Sequence, residues 1–450
     1  MAWALSIPDA SPFCLADAAV PRCMLAGDAG AFAADREDLA RVDIVVAGGR
    51  IAGVAPHAVA HGDPGLARVE LAGCQVWPCF VDLHTHLDKG HIWPRAANAD
   101  GTFAGAIAAT LGDRGPRWNA ADVEARFEFG LRAAWAHGTS AIRTHLDSVA
   151  PQHLISWPVF AKLRERWRGR IALQAVTIVR LDFLEGAFGD ELADVVADSD
   201  GILGAVIAAD DDETPAAQSI RLARQLDRIF ALAEARGLEL DFHADETGDA
   251  GAAALRAIAE AKLRNRFERT VVVGHCCSLA VQAANDVDRT LDLVARAGLA
   301  IVSLPMCNLF LQDRVPGRTP RWRGVTLLHE LRDRGIRVAV ASDNCRDPFY
   351  GYGDHDALEV FREAARIAHL DRPVGAWPAA VTRTPAAIMG LAGGATIAPG
   401  APADLVVFNA RGYSELLSRP QGDRIVLRDG KPIDTTLPDY RELDHLMREP

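Results

Sequence analysis

The stretch QVWPCFVDLHTHLDKG, residues 75–90, begins as an apolar run and then presents His84 and His86 around a single threonine. Residues i and i+2 of a strand point to the same face, so both imidazoles share one face while Thr85 turns outward. An apolar strand that ends in two imidazoles must give them partners, since a buried polar group without one costs on the order of 1–3 kcal/mol.

Downstream of it, short apolar runs and amphipathic segments take turns. The runs are TSAIRTHLD (139–147), RIALQAVTIV (170–179), GILGAVIAA (201–209), LELDFHADE (238–246), TVVVGHCCS (270–278), AIVSLPMCN (300–308) and IRVAVASDN (336–344). Helical periodicity fills the gaps between them, as in AADVEARFEFGLRAAWAHG and AAQSIRLARQLDRIFALAEARG. Unalternating apolar strands, each followed by an amphipathic helix, are what a parallel sheet covered by helices requires. With the 75–86 segment counted, eight such units predict a closed (β/α)8 TIM-like barrel over 76–395, of class α/β. A doubly wound open sheet is the alternative, but no GxGxxG follows any of the strands. At the ends the pattern changes. VDIVVAGGRIAGVAP (42–56), with ADLVVFNARG and DRIVLRDGKPI near 403–433, alternates and turns on Gly pairs or Asp-Gly as antiparallel hairpins do. Residues 1–75 and 396–450 are therefore expected to build one small β-sandwich domain from both termini.

Composition removes several functions. A chain of 450 residues with 49% hydrophobic and 24% charged residues has the balance of a folded enzyme rather than of a disordered segment. Its net charge of -12 argues against nucleic acid or an anionic membrane as the main partner. No apolar run reaches the roughly 20 residues of a membrane span. The first 22 residues carry Asp9 and Asp17 and no cation before Arg22, unlike a signal peptide. The eight cysteines contain no CxxC pair, so a cytoplasmic protein with free thiols is expected, and Cys276, Cys277, Cys307 and Cys345 read as small buried apolar residues. A small-molecule substrate follows, and a homo-oligomer is left open.

In such a barrel the chemistry sits at the C-terminal ends of the strands. His84 and His86 end the first, His145 the second, His243 and Glu246 the fifth, His275 the sixth and Asp343 the eighth, while Asn308 follows the seventh. Any one of these histidines alone reads as a hydrogen-bonded core residue. Five histidines and an aspartate at one end of one barrel read together as a site for a divalent metal.

These residues resemble the amidohydrolase superfamily and, within it, the cytosine deaminase branch. The resemblance rests on HTHLD (84–88), RTHLD (143–147), HADE (243–246), GHCCS (274–278), LPMCNLFLQDR (304–314) and SDNCRDPFYGYGD (342–354), and it runs over nearly the whole chain. It implies one divalent ion, Zn2+ or Fe2+, held by His84, His86, His243 and Asp343, and hydrolytic removal of an amino group from a ring. Two-metal relatives carry a lysine at the end of strand four, where this chain reads GILGAVIAADDDE; Asp210–Asp212 there read as a solvated loop. A bound ion lowers a water's pKa toward roughly 7. Asp343 then accepts its proton, His275 orients the hydroxide, and Glu246 protonates the ring nitrogen and the leaving amine. The alternative reading of Glu246 is an acid that favours the dipole of the next helix.

The sequence departs from the cytosine-specific pattern. VTIVRLDF stands where an FPQEG-like stretch is expected, Asp343-Asn344 where two aspartates are, and Phe349 where a tryptophan is. The expected substrate is therefore a larger amino-oxo heterocycle, a pterin or an isoguanine-like purine, with Arg180, Asp182, Asn308, Asn344, Trp93 and Phe349 as its contacts. Arg180 has an alternative reading as a surface residue at a helix start, and the aromatic pair as plain packing. His145 and Asp147 are read as supports for a ligand or as links at the barrel rim. Removal of an N-alkylamino group from a triazine, opening of a cyclic amide, and a barrel that only assembles are the alternative functions.

Overall fold

The computed structural model describes residues 5–8, 11–26, 32–57, 66–208, 214–391 and 393–448. It divides into two compact units.

The first unit takes Met1–Asp82, Arg132–Ala141 and Asp356–Leu437. One of its sheets has the order β3-β2-β1-β4, built from β1 (Phe13–Pro21), β2 (Leu39–Ala47), β3 (Arg50–Pro56) and β4 (Ala67–Glu70). The hairpin between β2 and β3 turns on Gly48 and Gly49, with φ of 56° and 79°. Positive φ at both central residues is the type I′ turn that suits twisted strands, and glycine adopts it without a Cβ penalty. The other sheet has the order β16-β15-β14-β5 and pairs β5 (Val76–Pro78) with β14 (Leu405–Val407), β15 (Ile425–Arg428) and β16 (Lys431–Pro432). Both ends of the chain therefore build this unit, as the alternating segments predict. Trp77 is fully buried in it, edge-on to Phe361 at 5.5 Å and to Phe408 at 5.8 Å.

The parallel strands are β6 (Phe80–Thr85), β7 (Thr139–Asp147), β8 (Ala172–Ile178), β9 (Leu203–Val206), β10 (Leu240–Ala244), β11 (Val271–His275), β12 (Ala300–Ser303) and β13 (Arg337–Val340). β6-β7-β8 and β9 through β13 pair in chain order, and the bridges Val176↔Ile202 and Thr85↔Asp343 join the two sets at both edges. The ring of eight is thereby closed, which leaves no free strand edge. The second unit, Leu83–Leu131, Ile142–His355 and Pro438–Pro450, holds the ends of these strands and the loops that follow them.

Period-two alternation stacks the barrel interior in layers. Arg143 on β7 and Asp241 on β10 are both buried and pair at 3.1 Å, with Gln174 of β8 accepting from the same guanidinium. Two residues further along the same strands come His145 and His243, level with His84 of β6. A buried ion pair thus forms the floor on which the imidazoles stand.

Two elements differ from the sequence reading. Phe103–Arg117, which the alternation of apolar runs and helical segments leaves unassigned, is a helix whose first turn is capped by Thr102 accepting from the Gly105 amide at 3.0 Å. The segment AIVSLPMCN leaves the sheet at Ser303, because Pro305 cannot donate to a ladder and instead opens the helix Pro305–Leu311. Asn308 consequently lies on a helix turn over the barrel mouth. Among the described residues no helix is long and apolar enough to cross a membrane.

Candidate active site

At the strand ends the histidines close on one another. His84 Nε2 is 3.1 Å from His243 Nε2 and 3.6 Å from Asp343 Oδ1, while His86 Nε2 lies 3.1 Å from the same Asp343 oxygen. Four donors about 2.0–2.1 Å from one tetrahedral ion stand about 3.4 Å apart, and these separations match that spacing. The set is dry: His84 and Asp343 are at most 1% exposed, and His86 and His243 are buried. Burial first, and neighbouring imidazoles and Lys89 next, hold His84, His86 and His243 well below the ordinary histidine pKa, so each ring is neutral and has a lone pair to give. Both carboxylate oxygens of Asp343 are buried without a hydrogen-bond donor. Imidazole nitrogens and a carboxylate brought this close together in a buried site are a donor set for a cation, so the residues fit a divalent metal ion.

The backbone bends to bring them there. Asp245, His275, Cys276 and Asp343 all have φ between 51° and 69°, a region that costs a residue with a Cβ on the order of 1–3 kcal/mol. At Asp343 part of that cost is offset locally, as its amide donates to His84 O at 2.8 Å and its carbonyl accepts from Thr85 Oγ1 at 2.8 Å. Gly274 on β11 makes room for the first imidazole, since a Cβ there would stand 3.2 Å from His84 Cε1.

Beside the cluster is a second group of three. Asn308 Nδ2 lies 3.0 Å from Glu246 Oε1 and 3.0 Å from His275 Nδ1, and Glu246 Oε1 lies 3.3 Å from His275 Nδ1. An amide NH2 can only donate, so His275 Nδ1 accepts and its proton sits on Nε2. That Nε2 is buried and has no hydrogen-bond partner, while burial takes the ring down to about 4, leaving it neutral. Burial and the nearby Asp343 carboxylate push Glu246 well above the ordinary range, so it is built to keep a proton. Asn308, read from sequence as a substrate contact, spends its NH2 on these two side chains and leaves Oδ1 buried without a partner.

Of the remaining expected contacts, Asn344 donates to Asp347 at 2.7 Å and accepts from the Cys307 thiol. Burial raises Asp347 to about 6. Phe349 packs edge-on to Phe103 at 5.7 Å, and Trp93 lies against Gly351. Arg180 and Asp182 pair with each other at 3.0 Å, and the guanidinium side chain is 44% exposed. His145 stacks on His84 with centroids 3.8 Å apart and faces Asp241 Oδ1 at 3.5 Å, as a support beneath the ligands would. The Asp147 amide donates to Asp88, which also accepts from Ser156, so the loop after β6 is tied to that after β7. Asp210–Asp212 lie outside the described residues.

Sequence reading missed Lys89. It is buried, its Nζ lies 4.4 Å over the Phe349 ring, and it is close enough to bear electrostatically on His86, His243, His275 and Glu246. Among the described residues no carboxylate pairs with that ammonium. Its place directly after HTHLD, on a loop at the catalytic face, is the signal that identifies it.

The chain is similar to several known proteins. The profile of the amidohydrolase family Amidohydro_3 matches residues 181–434. A pterin deaminase of Rhizobium rhizogenes is 54% identical over 441 residues, which cover 98% of both chains. The N-isopropylammelide isopropyl amidohydrolase of a Pseudomonas species is 24% identical over 76% of this chain and 82% of its own. Among solved structures, the 5-methylcytosine deaminase of Klebsiella pneumoniae liganded with 5-fluorocytosine superimposes with a TM-score of 0.76 at 22% identity, covering 94% of this chain and 97% of that one.

Proposed function

This chain belongs to the amidohydrolase family, and from that premise we propose that it is a metal-dependent hydrolytic deaminase whose substrate is a pterin. The reaction replaces the exocyclic C–NH2 of the 2-amino-4-oxo ring by C=O, consuming one water and releasing one ammonia. The observation that carries the reading is the Glu246–Asn308–His275 group set against the His84, His86, His243 and Asp343 cluster. A full-length relative of 54% identity that deaminates a pterin supports the ring class.

A divalent ion would be held by the three histidines and Asp343, and when bound would supply Lewis acidity and a hydroxide equivalent at neutral pH. The rest of the work falls to the side chains. Asp343 accepts a proton at the carboxylate. His275 presents its Nε2–H to the attacking oxygen and so fixes its direction. Glu246 gives its proton to the ring nitrogen beside the reacting carbon; of the two protons that Asp343 takes in turn from the attacking water, the first passes by way of Glu246 to the departing amine and the second restores Glu246. We assign Lys89, whose Nζ lies 4.4 Å over the Phe349 ring, to the oxo edge of the substrate, and Phe349 and Trp93 to its faces. Arg180 is committed to Asp182 at the surface, so the cation of the pocket is Lys89.

The test is ammonia release from pterin, cytosine, isoguanine, guanine and an N-isopropylaminotriazine by protein loaded with Zn2+ or Fe2+. Pterin is expected to turn over with the highest kcat/KM. Preference for isoguanine or for the alkylaminotriazine would overturn the ring assignment, and no turnover of any of them by metal-loaded protein would overturn the deaminase reading.

A further inference from the structure

A second cluster of metal-ligating side chains lies in the same unit and takes no part in the chemistry above. His91, Cys345 and His355 are 2%, 1% and 3% exposed, and they offer ligand atoms that all lie within 4.8 Å of one another. Both ring nitrogens of His91 are buried without a hydrogen-bond partner, an arrangement that is costly for polar atoms unless something binds them.

We propose that His91, Cys345 and His355 form a second metal site, one that takes a zinc-type divalent cation and clips the loop after the first barrel strand to the loop after the last. One thiolate and two imidazoles form a borderline-soft donor set, the kind that selects Zn2+ over Mg2+ or Ca2+.

The backbone is shaped around this cluster. His91 and His355 have φ of 65° and 55°, and Arg346, next to the thiol, has 49°. Three left-handed residues in two short loops must be held by something. Part of the hold is backbone: the His91 amide donates to Cys345 O at 3.0 Å, and the Trp93 amide to Arg346 O at 2.8 Å. Gly130, on the helix Ala120–Ala136, opens the space, since a Cβ there would stand 3.0 Å from His355 Nε2. The two imidazoles are 5.5 Å apart at 54°, so they converge rather than stack.

The charges around the cluster act differently on its imidazoles and its thiol. Arg346 lies over the Tyr440 ring at 4.2 Å, and Arg126 is tied to Asp122 and to the carbonyls of Asp88 and Gly90. A nearby cation favours neutral imidazole and thiolate alike, the two states in which these side chains bind metal. Burial first, and Asp354 and Asp347 next, push the thiol well above the ordinary range, so a bound cation would have to displace that proton. The sequence reading took Cys345 for a small apolar residue; its two imidazole neighbours become visible only when the loops close.

The position gives the site its role. Barrel closure between β6 and the residues after β13 rests on the Thr85↔Asp343 bridge, and the clip would lie just beyond that seam. The test is metal content by mass spectrometry of Zn2+-loaded, desalted protein, with the Co2+ form read for a near-ultraviolet thiolate charge-transfer band. The full chain is expected to hold two equivalents and to show the band. His243→Ala should drop to one equivalent and keep the band, whereas Cys345→Ser should drop to one and lose it. Absence of the band, or a band unchanged by Cys345→Ser, overturns the proposal. If Cys345→Ser does not fold, the wild-type values decide together with His91→Gln, which should also drop to one equivalent.

Discussion

Asn308 is the position where the geometry makes its sharpest demand. Its NH2 is shared between Glu246 Oε1 and His275 Nδ1, at 3.0 Å each, and it neither binds the metal nor touches the reacting atoms in this arrangement. Removing it in Asn308→Ala deletes two hydrogen bonds. At about 1.4 kcal/mol each they amount to about 3 kcal/mol, or about 100-fold in kcat. The isosteric Asn308→Asp should be worse than Ala, by about another tenfold. Its carboxylate would face Glu246 and would draw the proton of His275 from Nε2 to Nδ1, reversing the tautomer on which orientation of the nucleophile depends. Steady-state ammonia release gives kcat and KM, and metal analysis of the same preparations should show full occupancy. An Asp variant more active than the Ala variant, or either variant within threefold of the parent, would refute the argument that His275 is held through Asn308. Loss of metal would instead place Asn308 in the ligand cage.

Glu246→Gln keeps the shape and removes the proton carrier, so turnover should fall by about 1,000-fold or more while bound metal is unchanged; a variant that loses its metal sinks the acid–base role. Lys89→Met is expected to raise KM for pterin about tenfold with kcat within threefold, whereas Arg180→Ala should leave kcat/KM within about twofold. The reverse pattern would restore Arg180 as the recognition residue. Away from the active centre, Asp356 offers a pH test. Burial would raise its pKa, but the paired Arg424, at 2.8 and 2.6 Å, overrides that and lowers it to about 2. Its stabilisation is present above the unfolded value near 3.8 and is lost as pH falls through about 2, and the shift corresponds to about 2–3 kcal/mol. The gap in Tm between the parent and Asp356→Asn should therefore narrow as pH is lowered from about 5 to about 2.5; a constant gap contradicts the pair's role.

What could be read from the sequence followed from periodicity. Eight apolar runs gave eight strands, and the His84–Thr85–His86 alternation placed two imidazoles on one face, because both signals are local and each depends on a fixed repeat. Asn308 could be placed after the seventh strand but not given its contacts, since a proline three residues earlier turns the chain into a helix and changes what the side chain faces. Lys89 passed unnoticed for a different reason. A single lysine in a loop reads as solvent-exposed, and only the packing of Phe349, far along the chain, buries it. Arg180 shows the opposite case: a cation in a suggestive motif position that pairs with Asp182, two residues away.

The residue that closes the barrel is also the one that completes the cluster. Asp343 ties β6 to the far edge through its backbone, at 2.8 Å to both His84 O and Thr85 Oγ1, while its carboxylate meets His84 and His86. The left-handed backbone at Asp343 allows both, because with φ at 62° the main chain can pair with the first strand while the side chain turns inward over it. The strain there comes with a geometric gain: the imidazoles of the first strand and the carboxylate following the last are fixed in one register, and slippage between those strands would separate the ligands. The chemistry proposed for Asp343 and closure of the ring therefore rest on the same residue, and this accounts for a non-glycine residue where local conformational preference alone would place a glycine.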